Sequence, residues 1–182
     1  MIGLAKVYAA SAATPLTSIQ GAVIEIVLIG IVATLATDLW QKLLQLTAGF
    51  PAANWGLIGR WVAGFPRGVF VHRPITATPP VRGELALGWA FHYVVGIAYA
   101  ALYLAVVRVG LASEPSLISA VAFAIVLLVA PWLVMQPALG LGFMTSRTPK
   151  PAAVRLMNVS VHATFGIGLY LGAVIWLAAA AS

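Results

Sequence analysis

Asp38, His92, Gln136 and His162 are four hydrogen-bonding side chains set in otherwise apolar stretches of the chain. A histidine beside a carboxylate can pass a proton, or hold a divalent metal through nitrogen and oxygen. Two facing histidines can ligate a haem iron, with Arg82, Arg147 or Arg155 meeting its propionates. A histidine oriented by Asp38 or Glu84 can also serve as a general base on a lipid-phase substrate. His92, His162 and Asp38 are therefore the candidate metal or haem ligands, and the cofactor itself is undetermined by the residue types.

The elements that must position these groups are membrane helices. Of 182 residues, 62% are hydrophobic and 8% charged, and the mean hydropathy is +1.03. A soluble domain carries about one-quarter charged residues, so the chain is expected to be an all-α integral membrane protein. Four stretches supply the roughly 20 apolar residues that a hydrocarbon core requires, at about 26–46, 85–107, 117–143 and 156–178. Residues 23–182 are thus expected to form one four-helix transmembrane domain. Residues 1–22 form an N-terminal extension that faintly resembles a signal peptide but lacks its sustained apolar core.

Each of the four polar residues lies six to eight positions from one end of its span. At ~1.5 Å per residue they fall roughly 9 to 12 Å below one membrane boundary, predicting an intramembrane polar layer. An ionisable group at a helix centre costs about 2.5 to 3.5 kcal/mol on insertion scales, so the layer calls for a function. The plainer role is a set of interhelical clips worth about 0.6 kcal/mol each. In the first span Thr34, Asp38, Gln41 and Gln45 draw one polar stripe at helical spacing. Gly88, His92, Gly96 and Ala100 recur every four residues, which sets His92 on a small-residue face suited to close helix approach. HYVVGIA at His92 and HATFGIG at His162 share H-x-x-x-G-I. The match predicts two parallel-repeat hairpins, with Asp38 and His92 corresponding to Gln136 and His162.

The net charge of +6 does not point to nucleic acid, because the basic residues are spread through the connections. With four spans, the first and third connections share one side and carry Lys42, Arg60, Arg67, Arg73, Arg82, Arg147, Lys150 and Arg155, against Lys6 and Arg108 on the other. The positive-inside rule then places both connections in the cytoplasm and both termini in the periplasm. Within the first connection, Asn54 is expected to cap a short interfacial helix from Trp55 to Ala63, ended by Gly64. Its tryptophans read as membrane anchors, with Arg60 turned toward headgroups or inward. Together, Arg60, His72, Arg82 and Glu84 could instead close over the polar layer as a cytoplasmic cap. Pro131 and Pro137 should kink or open the third span, freeing the carbonyls of Leu127 and Leu133.

The chain has no cysteine, which excludes disulfides and thiolate metal sites. It also lacks a GxSxG elbow, a phosphate loop and HExxH. The ordered fragments GRW, HRPI, RGE, GWAFHY, APWLVMQPALG, SRTP and HATFGIGLYL resemble a domain-of-unknown-function family of small bacterial four-helix inner-membrane proteins. The resemblance runs from about Val23 onward; it implies a bacterial inner-membrane location and supplies no activity. The expected function is transport or an accessory membrane role built on a cytoplasm-facing polar site, with the lipid bilayer as surroundings and a homo-oligomer or larger complex as the working form. The alternatives are a bis-histidine haem or metal protein and a membrane enzyme, the latter without a supporting motif.

Overall fold

The computed structural model describes residues 19–181. Most of the expected extension, residues 1–18, lies outside them. The first helix, α1, spans Ile19–Ala48, so it takes in residues 19–22 that the sequence assigned to the extension. A short helix α2 (Trp55–Val62) follows in the first connection. Next come α3 (Glu84–Leu104), α4 (Leu117–Val126) and α5 (Pro151–Ala180).

Four helical segments are long and apolar enough to cross a membrane: Ile19–Ala48, Glu84–Gly110, Leu117–Ala138 and Pro151–Ala180. The protein is therefore a multi-pass, all-helical membrane protein. The third span ends at Ala138, not near residue 143, because the backbone turns at Gly140 with φ +85°. A side chain there would also meet His72 O at 3.0 Å.

Glycine faces set how closely the bundle closes. In α5, a Cβ at Gly168 or Gly172 would lie 2.6 Å from Ala33 Cα or 2.8 Å from Ile29 Cα, so α5 and α1 touch backbone to backbone. In α3, Gly96 sits directly on the Thr34 side chain of α1. Buried Ile29, Ala33, Tyr103 and Leu169 fill the space between these contacts. The glycine one turn after each histidine packs on the first helix of its own hairpin, Gly96 on Thr34 and Gly166 on Val121. The registers differ, however: Thr34 precedes Asp38 by four residues, whereas Val121 precedes Gln136 by fifteen. The hairpins share a packing motif, but their polar residues do not occupy equivalent positions.

The third span is broken as its prolines dictate. Past Val126 the α-helical pattern lapses, and Pro131–Met135 winds as a π-helix. Pro131 has no N–H for the Leu127 carbonyl, and the Ala130 amide supplies the bond instead at 3.0 Å. At the end of the span, the carbonyls of Ala138 and Leu139, which lack helical partners, accept from the amides of His72 and Ile75 at 2.7 and 3.0 Å. The first connection is thereby tied across the mouth of the bundle.

Helix α2 completes this closure, and here the structure corrects the sequence reading. Asn54 does cap α2, accepting from the Leu57 amide at 3.2 Å. Trp55 and Trp61, though, face protein and are not headgroup anchors. Gly59 of α2 rests on the Glu84 carbonyl and Gly88 of α3 on the Trp55 carbonyl, leaving no room for a Cβ on either. This crossing drives Ile58 and Trp61 into a second core with Ile75, Ala138 and Leu139. The Trp61 indole donates to the Phe70 carbonyl at 2.7 Å.

Candidate functional site

Beneath the α2 roof, Asp38 is gripped from two sides. His92 Nε2 lies 2.9 Å from Asp38 Oδ1, and the Tyr93 hydroxyl donates to Oδ2 at 3.0 Å. Both donors come from α3, so one carboxylate on α1 fastens two helices. The Trp55 ring stacks on the His92 imidazole with centroids 3.9 Å apart and planes 26° from parallel. Trp89 meets the His92 ring edge-on at 5.8 Å and lies 5.5 Å from the Trp55 ring. The side chains of His92 and Asp38 keep 17% and 18% exposure, enough for contact with a bound molecule.

A cavity of about 370 Å³ adjoins this cluster, lined by His92, Gln136 and His162 together with Trp55, Phe91 and Tyr99 among others. The structure thus brings three of the four expected layer residues to one hollow, with Asp38 behind His92. His162 Nδ1 lies 3.0 Å from the Asn158 carbonyl. Facing a carbonyl, that nitrogen carries the proton, which leaves Nε2 of the neutral ring as an acceptor. Gln136 Oε1 and Asn158 Nδ2 are buried without a hydrogen-bond partner, and both residues line the cavity. A buried polar atom left unpaired costs about 1–3 kcal/mol, and the cavity lies beside both residues.

The cap residues divide. Arg60 turns inward: its Nε and Nη2 donate to the two carboxylate oxygens of Glu84 at 2.8 and 2.7 Å, and Nη1 donates to the Thr78 carbonyl at 2.6 Å. The hydrogen bonds it donates to Glu84 hold the guanidinium pKa above its ordinary value, with burial acting the other way. Of the two orientations expected for Arg60, this internal fork takes the inward one. His72 is buried, with Nδ1 2.8 Å from Thr78 Oγ1. Arg82 is exposed just before α3. Farther along the polar stripe, Gln41 accepts from the Ala53 amide at 3.2 Å. Gln45 leaves the bundle to meet Lys42 at 3.1 Å on the surface. At the opposite membrane face, Arg108 donates to both oxygens of Glu25 at 2.8 and 2.7 Å.

For a haem or metal, the geometry of the histidines is unfavourable. His92 presents Nε2 to Asp38, and its ring is covered by Trp55. Among the described residues no three His, Cys, Asp or Glu side chains gather around one point. Trp55 and Asn158 are the site residues the sequence reading missed. Asn158 stands one turn before His162 on the same helix face, and that spacing was the available signal. For Trp55 no local signal existed, since a tryptophan beside a membrane span ordinarily sits at the interface.

Residues 27–176 match the model of a protein family described as Protein of unknown function (DUF2938). The chain belongs to the DUF2938 family. That match takes in the second and third spans, most of the first and fourth, the α2 roof and every residue of the cavity wall named above. No curated protein and no solved structure matches the chain.

Proposed function

We propose that this DUF2938 protein binds a small neutral molecule in the cavity between its helices and serves in transport or an accessory membrane role. The observation that carries this reading is the pair of unpaired buried atoms, Gln136 Oε1 and Asn158 Nδ2, in the wall of a largely apolar hollow. One is an acceptor and the other a donor, so an uncharged guest with both functions fits them better than an ion does. The Asp38–His92–Tyr93 cluster beside the cavity is a proton-handling group, as intramembrane carboxylate and histidine pairs are in pumps and transporters. The broken third span, which carries Gln136, is the element that opens the path. In this reading the protein sits in a bacterial inner membrane as one transmembrane domain, with its connection-rich face toward the cytoplasm. It works as a homo-oligomer or as part of a larger complex.

Proteoliposomes holding the purified protein and a trapped pH-sensitive dye test the transport reading. Proton entry under an imposed gradient, abolished by Asp38→Asn and by His92→Ala, is the expected result. Vesicles that stay silent while the reconstituted protein keeps its helical circular-dichroism signal would remove proton transport through the Asp38–His92 cluster.

A further inference from the structure

A second hollow of about 730 Å³ lies outside the bundle, between the first connection and the end of the third span. Its wall is apolar: Phe70, Val134 and Phe143 line it and are 55%, 60% and 64% exposed. Two cations, Arg73 and Arg147, line the same hollow, and both are exposed. Both pack against one turn, residues 140–142. A Cβ at Gly140 would lie 3.4 Å from Arg73 Cα, and a Cβ at Gly142 would lie 2.9 Å from Arg147 Cγ. The turn is held in place, since the Arg147 amide donates to the Leu141 carbonyl at 2.9 Å and Ile75 to Leu139 at 3.0 Å.

Among the described residues no carboxylate answers these two charges. The sequence has four acidic residues. Glu84 is held by Arg60 and Asp38 by His92, while Glu25 and Glu114 pair with Arg108 at the far membrane face. Two guanidinium groups at the level where a span ends, above an exposed apolar wall, match a phosphate joined to a hydrocarbon chain. The geometry points to a binding site for one anionic phospholipid, its phosphate bridged by Arg73 and Arg147 and an acyl chain laid against Phe70, Val134 and Phe143. A free phosphate would leave the wall bare, and a zwitterionic choline lipid would bring a third cation beside the two arginines. Basic pockets between membrane helices hold acidic headgroups by this combination.

Native mass spectrometry of the full chain in detergent, titrated with phosphatidylglycerol, phosphatidylcholine or inorganic phosphate, tests the assignment. One phosphatidylglycerol should stay bound at least about tenfold more tightly than phosphatidylcholine. The double variant Arg73→Gln/Arg147→Gln should weaken it on the order of thirtyfold, from two lost surface charges. Lys42→Gln/Arg82→Gln removes the same charge from the same membrane face and should leave the affinity unchanged. Phe143→Gln, which alters the wall and no charge, should also weaken retention. Equal binding of the two lipids, an equal loss in the control variant, or displacement by millimolar inorganic phosphate would overturn the assignment.

Discussion

Asp38 uses both carboxylate oxygens on α3, one for His92 and one for Tyr93, and this sharing makes it the residue whose loss has the widest effect. Asp38→Ala would strand two partly buried donors at about 1–3 kcal/mol in all. A double-mutant cycle of Asp38→Ala with His92→Ala should return a coupling of about 0.6 to 1.7 kcal/mol, the span measured for interhelical bonds in membranes. Zero coupling in detergent unfolding would mean that the pair is not formed. Gln136 behaves in the opposite sense. Its Oε1 is buried and unpaired, so Gln136→Leu in ligand-free protein should be neutral or stabilising, by up to about 1 kcal/mol or 2–4 °C in Tm. A lowered Tm would reveal that the amide already has a partner.

At the scale of elements, the α2 roof depends on backbone contact between two glycines. Gly59→Ala places a methyl on the Glu84 carbonyl, and Gly88→Ala places one on the Trp55 carbonyl. Neither obstacle is a flexible side-chain end, so α2 must lift from α3, at about 1–3 kcal/mol or more. The lifted roof takes Trp55 off His92, and a water-soluble quencher should then reach tryptophan fluorescence that is protected in the parent protein. Gly110→Ala is the matched control, because nothing lies within 4 Å of that position. Equal quenching in all three variants would show that α2 is not docked. The broken third span follows the same logic of backbone satisfaction: its terminal carbonyls are closed by the His72 and Ile75 amides, which couples the first connection to the helix that carries Gln136.

The whole molecule has two charged faces of different design. One holds the compact Glu25–Arg108–Glu114 group, and the other gathers the two long connections with most of the basic residues. If the positive-inside rule governs insertion, the second face is cytoplasmic. The cysteine-free chain lends itself to the measurement. In intact spheroplasts Ser113→Cys should react with a membrane-impermeant maleimide, and Pro79→Cys should react only after lysis; the reverse pattern would invert the topology. Both positions are exposed loop sites, so the label reports sidedness and not burial.

Four membrane helices, the kinked third span and the Asn54 cap were legible in the residues themselves. Each is a local matter of apolar run length, a missing proline N–H or one capping oxygen within a few residues. His92 was legible as inward-facing, because Gly88, Gly96 and Ala100 share its helix face. Which partner it takes was not, since Asp38 lies 54 residues away and Gln136 and His162 share the same predicted layer. The placement of α2 was settled only by the tertiary fold. Its aromatic and apolar side chains would suit a lipid interface equally well, and local chemistry does not distinguish the two environments. The distinction comes from Gly59 and Gly88, which allow two backbones to meet and so turn Trp55 from an interfacial ring into the cover of the Asp38–His92 pair.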